Sequence, residues 1–329
     1  MKVLFIGGTG IISTACATLA VEKGFDLTLL NRGKSFRPTP TGVRVLHADI
    51  HDAGAMQAAL DGQHFDVVAD FIAFTPQDVQ KDLDLFAGKT AQFLFISSAS
   101  AYQTPPSNLP IRESTPLENP FWEYSRNKIA CEELLLSEYR KTKFPFTIVR
   151  PSHTYDQTSI PLEGNYSVID RVLKNKPVWV HGDGTSLWTL THSRDFAKGF
   201  VGLLGNSRAL GEVFHITSDE WLPWNQIYQL LGRAFGVEPQ LVHVPSEMIA
   251  AYDPVIGASL LGDKSHSAIF DNTKIKQLIP EFVCSTPFSR GVEEIAGWYM
   301  ANPLRQKVDP GFDQLSDRIL KTIQQVLIK

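Results

Sequence analysis

Short apolar runs alternate with longer stretches whose apolar positions recur at helical spacing through the first half of the chain. The runs are Val3–Ile6, Leu27–Leu30, Val43–Leu46 continuing to Asp49-Ile50, Asp66–Ala73, Gln92–Ser97 and Phe144–Val149. Uninterrupted hydrophobicity of this kind marks a strand buried on both faces, as in a parallel sheet. Between the runs lie helical stretches: Ile11–Lys23 closed by Gly24, Ala53–Leu60, one opened by Thr75-Pro76, and one from about Trp122 to Tyr139. Strands alternating with helices predict the α/β class with a doubly wound parallel sheet. The pattern then changes. Residues of about 156–188 leave the sheet, 189–218 return to it, and 219–329 leave again. We expect one domain of residues 1–155 plus about 189–218, and a smaller, discontinuous C-terminal domain from the remainder. An amphipathic helix is expected from Trp221 to Phe235, and a last one over Phe312–Ile328, with Leu315, Ile319, Ile323 and Val326 on one face covering the core.

The first turn carries the most specific signal. Gly7-Gly8-Thr9-Gly10 follows the first strand and opens a helix whose residue three after Gly10 is Ser13. Glycines at a strand-to-helix turn let the backbone approach a ligand closely. The helix N-terminus behind them presents free N–H groups and a partial positive charge to a pyrophosphate. This strand–turn–helix–strand order points to a Rossmann dinucleotide site. The end of the second strand reads Asn31-Arg32-Gly33-Lys34 and carries no acid for a ribose 2′-hydroxyl. Arg32 with Lys34 suits a 2′-phosphate, so NADP is expected ahead of NAD. Asp49, with Ile50, ends the third strand and is a candidate adenine contact.

Composition narrows the classes. The net charge of −4 offers no basic field for nucleic acid. Three distant cysteines, Cys16, Cys131 and Cys284, suggest neither disulfides nor zinc and fit a reducing cytosol. The histidines are scattered, so no metal site is expected. No apolar run reaches the length of a membrane span, and the first strand begins at once, leaving no room for a signal peptide. We expect a cytoplasmic protein with a small-molecule ligand.

The fifth strand ends in Ser97-Ser98-Ala99-Ser100, where a hydroxyl can reach a ligand beyond the carboxyl ends of the strands. After a polar loop, Tyr124 and Lys128 stand four apart near a helix start and share one face. Tyr139 and Lys143 repeat the spacing, but at the far end of that helix, and Tyr139 is expected to be structural.

Gly7-Gly8-Thr9-Gly10, Ser98 and Tyr124-x-x-x-Lys128 together resemble the short-chain dehydrogenase/reductase superfamily. Arg150-Pro151-Ser152-His153-Thr154-Tyr155, Gly182-Asp183-Gly184 with His192-Ser193-Arg194-Asp195-Phe196-Ala197, and Gly211-Glu212-Val213-Phe214-His215-Ile216 resemble successive segments of its extended branch, the NAD-dependent epimerase/dehydratase family. The resemblance implies Tyr124 as proton carrier, Lys128 lowering its pKa and holding the nicotinamide ribose, and Ser98 on the substrate oxygen. It also implies cofactor contacts from Ile11, Ile12, Ala73, Ser97, Pro151 and His153, and a homodimer through the Tyr124 helix.

Two departures bear on the substrate. Nucleotide-sugar members carry an arginine where this chain has Trp188, and a second one before a Gly-Asp pair, here preceded by Ser259-Leu260-Leu261. Both expected diphosphate clamps are absent. Tryptophan can stack on a sugar but cannot pair with a phosphate. Ser98, Ser100, His153 and Trp188 are therefore the candidate substrate contacts. Ala99-Ser100 replaces the acid pair of the 4,6-dehydratases, which disfavours dehydration. The expected activity is oxidoreduction or epimerisation at a hydroxyl or ketone of a sugar-like molecule. The alternatives are a nucleotide-sugar epimerase and a cofactor-binding regulator without catalysis.

Overall fold

The computed structural model describes residues 1–327. Seven strands form one parallel sheet: β1 (Lys2–Ile6), β2 (Asp26–Asn31), β3 (Arg44–His47), β4 (Val67–Asp70), β5 (Gln92–Ile96), β6 (Phe146–Pro151) and β7 (Glu212–Ile216). Their order is β7-β6-β5-β4-β1-β2-β3. The winding reverses between β1 and β4, so a crevice opens above the carboxyl ends of these two strands.

Helices cover both faces, as the apolar runs require. On one side α1 (Ile11–Glu22) packs its Cys16, Ala17 and Ala20 near Phe196 and Phe200 of a helix at Ser193–Leu203. On the other, α2 (Ala53–Leu60), α3 (Pro76–Phe86) and α4 (Glu123–Thr142) bury Met56, Val79, Leu83, Cys131 and Leu135 against Leu4, Val68 and Phe95. A further core lies beyond the sheet, gathering Tyr155, Trp179, Trp188, Trp224, Leu260 and Ile295 around a parallel pair, Val178–His181 with Leu241–Val244. Among the described residues no helix is long and apolar enough to cross a membrane.

The elements follow the sequence pattern with informative shifts. β4 stops at Asp70 although the apolar run continues to Ala73. The Asp70 carboxylate takes the N–H groups of Ile72 and Ala73 at 2.6 and 2.8 Å, and so turns the chain out of the sheet. β3 stops at His47, and Asp49 accepts the His51 N–H at 3.0 Å in the turn that follows. β6 begins at Phe146 rather than Phe144, and α4 runs on to Thr142 before Lys143 takes a left-handed conformation. The helix after Trp221 starts at Trp224, behind Pro223. The last helix spans Pro310–Leu327, with Ile319 fully buried. Ile328 and the side chain of Val326 lie outside the described residues. Tyr139 is structural, its ring edge-on to Phe146 at 5.4 Å and filling the space beside Gly211.

A buried ion pair ties α4 to the sheet. Arg150 of β6 donates from Nε and Nη2 to the Glu132 carboxylate at 2.9 and 2.5 Å, and Ser97 Oγ donates to the same group at 2.5 Å. Both charged side chains are almost wholly buried. Removing one partner of such a pair leaves an uncompensated charge. Glu132→Ala is expected to lower stability by about 3–5 kcal/mol in urea unfolding, with Glu132→Gln costing less.

Candidate active site

The turn after β1 is shaped by side chains close to it in sequence. Ser13 Oγ donates to the Gly7 carbonyl at 2.8 Å and accepts the Gly10 N–H at 2.7 Å, which holds the turn closed. Gly7 has φ of +80°, and a Cβ there would meet Ile72 at 2.5 Å. Gly10 is different: the only atom near its missing Cβ is Ser13 Oγ at 3.2 Å. The first intrahelical bond of α1 runs from Thr14 N–H to Gly10, so the amides of Ile11 and Ile12 have no backbone acceptor among the described residues. A bare turn and free amides at a helix start fit a dinucleotide pyrophosphate. Ser35 Oγ donates to the Thr9 carbonyl at 3.0 Å and folds the loop after β2 against the turn, a contact the sequence did not mark.

Next to it, the ends of β2 and β3 bring together Asn31, Arg32, Lys34 and Asp49. Asn31 Oδ1 accepts the Gly33 N–H at 2.8 Å. Arg32 and Asp49 are exposed and 3.7 Å apart. The His51 amide and the Arg32 charge hold the Asp49 carboxyl below its usual range. Ile50 is half-buried behind it.

A cavity of about 380 Å³ extends from Ile12 past Tyr124. Of the residues singled out from sequence, Ile12, Ser97, Ser98, Ser100, Tyr124, Lys128, Pro151, His153 and Trp188 line it. Gly7, Gly8, Thr9, Gly10, Ile11, Asn31, Arg32, Lys34, Asp49 and Ile50 lie outside its wall, at the ends of β1, β2 and β3 and the start of α1. Ala73 also stands outside the wall, and meets the site through its carbonyl.

Lys128 is 1% exposed and donates to the carbonyls of Ala73 and Ile96, both at 2.7 Å. Its ammonium lies 4.6 Å from the Phe74 ring centre and 5.9 Å from that of Tyr124. Burial pulls its pKa down to about 8. The lysine expected to act on the phenol is held by two main-chain oxygens. The Tyr124 phenol is instead raised above its usual value by burial and by the negative charge of Asp263, with the Ser98 hydroxyl beside it pulling it down. The Tyr124 ring sits between those of Trp122 and Phe74, at 4.9 and 6.3 Å.

Ser98 caps a short turn, Ala99–Ala101, and begins a hydroxyl chain. Its Oγ is 2.9 Å from Ser100 Oγ, which accepts from Ser125 Oγ at 2.8 Å. Ser97 is committed to Glu132. Trp188 is buried against Trp224, 5.4 Å between ring centres, and donates from Nε1 to His153 Nδ1 at 3.2 Å. Burial pushes His153 down to about 3, so it is the neutral imidazole that accepts this bond. Trp188 thus offers the cavity an edge of a core residue.

Sequence reasoning passed over Asp263, which lines the cavity with Trp122 and His266. Burial lifts its carboxyl to about 7. It is fixed through its neighbour: Asn119 Nδ2 donates to the carbonyls of Ser100 and Gly262 at 2.9 and 2.6 Å. A Cβ on Gly262 would meet Trp122 at 2.7 Å. The Gly262-Asp263 dipeptide was visible in the sequence, but nothing there showed which loop it would face.

The sequence profile of the NAD dependent epimerase/dehydratase family matches residues 3–217. The chain belongs to that family. It is 26% identical to the 2'-dehydrokanamycin reductase of Streptomyces kanamyceticus over 303 residues, covering 91% of this chain and 84% of that one. It is 27% identical to the chloroplast stem-loop binding protein of 41 kDa b of Arabidopsis thaliana, over 74% of this chain and 65% of that protein. Among solved structures, the UDP-glucuronic acid 4-epimerase of Bacillus cereus, in complex with UDP-glucuronic acid and NAD, superposes with a TM-score of 0.72 at 19% identity, covering 92% and 99% of the two chains. Relatives of this family member are named as epimerases, dehydratases and reductases, and the chain is an enzyme of that family.

Beneath the site, α3 and β4 bring two buried carboxyls together. Asp70 and Asp82 are both buried, and Asp82 Oδ2 has no hydrogen-bond partner among the described residues. Burial and the neighbouring Asp70 charge raise Asp82 well above the carboxyl range, and burial raises Asp70 as well. Because the folded pKa of Asp82 is raised, folding takes up a proton. Stability therefore falls as pH rises from the ordinary carboxyl range toward that folded pKa. Asp82→Asn is expected to flatten this dependence from about pH 4 upward, read as urea midpoints of variant and wild type across that range.

Proposed function

We propose that this protein is an NADP(H)-dependent reductase of a ketone on a sugar-like small molecule, with Tyr124 as proton donor. The observation that carries the reading is the meeting of Tyr124, Ser98 and Lys128 in one cavity that begins at the first turn of α1. A phenol whose pKa lies above its ordinary value of about 10 is protonated at neutral pH. It therefore holds the proton that a carbonyl oxygen takes up on reduction.

Bound nicotinamide supplies the hydride. The Ser98 hydroxyl, itself hydrogen-bonded to Ser100, is placed to donate to the oxygen on which charge develops. The hydroxyls of Ser98, Ser100 and Ser125 form a chain along which the site can reorient its donors. Lys128 pins Ala73 and Ile96, and so fixes the loop and strand end that form the cavity floor. The rings of Phe74 and Trp122 pack against the Tyr124 ring.

The substrate class rests on Trp188 and on the Ser259–Leu261 segment, which supply no arginine for a diphosphate. The similarity to a reductase over most of both chains supports reduction. The preference for NADP(H) rests on Arg32 and Lys34 at the end of β2 and on the absence of an acid there. The same family reading pairs two chains through α4.

Tyr124→Phe is expected to cut NADPH-dependent ketone reduction by about 10²–10⁴-fold while NADPH binding, followed by nucleotide fluorescence, is unchanged. Full activity in that variant would end the proposal. Arg32→Ala is expected to weaken NADPH about ten-fold, as for a lost charge-assisted phosphate contact, and to leave NADH binding as it was.

A further inference from the structure

The cavity contains one acid without a partner. The Asp263 carboxylate makes no hydrogen bond or ion pair among the described residues; the Lys264 ammonium acts on it electrostatically but lies over the Trp122 ring, 5.6 Å from its centre. Lys128 is held by two carbonyls. Lys264, the next residue, turns its ammonium to Glu163 at 3.2 Å. Asp263 is nonetheless held firmly, because Asn119 clamps the Gly262 carbonyl to that of Ser100. A partly buried carboxylate fixed at a cavity wall, near enough to the Tyr124 phenol to act on its charge, carries a desolvation cost that no hydrogen-bond partner of its own offsets. A ligand that brings a cation removes that cost.

We propose that Asp263 anchors a protonated amine of the substrate, so that the enzyme acts on an amino-bearing sugar or polyol whose ketone lies at Tyr124. The inference rests on the reading of this cavity as the substrate site. An ammonium group satisfies two features of the wall together. It pairs with the carboxylate and returns it to the ionised state that burial opposes, the carboxyl standing near 7 when alone. It also explains why the cavity needs neither of the arginines that a diphosphate would require. A neutral hydroxyl would leave the charge unanswered, and a phosphate would be repelled by it.

The test is a binding measurement that does not depend on turnover. Methyl glucoside and its four monoamino analogues, with the amine at C2, C3, C4 or C6, are titrated calorimetrically into the protein, with saturating NADP⁺ and without it. At least one amino analogue is expected to bind about ten-fold or more tightly than methyl glucoside, the scale of a charge-assisted contact. In Asp263→Asn that preference is expected to vanish while NADPH binding is retained, and Asp263→Glu is expected to keep part of it. Tyr124→Phe should retain the preference although it loses turnover. If no analogue is preferred by the wild type, or if the preference survives in Asp263→Asn, the anchor is wrong. If the preference follows Asp263 but Tyr124→Phe still turns over, the anchor stands and the proton donor has been misassigned.

Discussion

A single ammonium group joins the parts of this site. Lys128 reaches from α4 through the protein interior to two main-chain oxygens, one just after β4 and one at the end of β5. These are the carboxyl ends beside the point where the sheet reverses, where a ligand must sit. Each carbonyl would otherwise be a buried acceptor at the edge of the ladder, and each bond is charge-assisted. The helix that supplies the cation also supplies Tyr124, one turn earlier. The place of the phenol is therefore set by an interaction that never touches it.

Around this tie the protein layers other buried charges, each with a different answer. Glu132 and Arg150 neutralise each other bidentately and hold α4 to β6. Burial lifts the pKa of both Asp70 and Asp82, and Asp70, by taking two amides, ends β4 and shapes the loop that presents the Ala73 carbonyl. Asp263 makes no hydrogen bond or ion pair among the described residues and feels only the charge of the neighbouring Lys264. Ion pairs and shared protons within a core are seldom a net gain in stability over apolar packing. Their concentration on the elements around one cavity fits a site in which geometry, more than stability, is being held.

Much of this could be read from the chain because it is encoded locally. The turn Gly7–Gly10, the four-residue spacing of Tyr124 and Lys128 and the serines after β5 are each contiguous, and periodicity places them at strand ends and a helix start. The alternation of apolar runs likewise predicts six of the seven strands of the main sheet, and only the family resemblance pointed to β7. What escaped was set by tertiary neighbours. The acceptors of Lys128 are carbonyls, which leave no mark in a sequence. β4 ends early because one side chain outcompetes the sheet for two amides, against an apolar pattern that continues for three residues. Asp263 comes from a segment remote in the chain, and its distance from Tyr124 depends on how the C-terminal core docks. Trp188 was read as a stacking platform, and its burial against Trp224 makes it chiefly a wall.

The Asn119 amide, bridging the carbonyls of Ser100 and Gly262, has a consequence for how such enzymes diversify. It latches the serine turn to the segment bearing the acid, so the parts of the cavity that carry Ser98 and Asp263 form one mechanical unit. A chimera that imported only a foreign C-terminal half would bring new recognition chemistry but break that latch unless its own residue met the amide. Changes of specificity along this lineage should therefore arise by replacing side chains on the latched frame more readily than by exchanging whole segments.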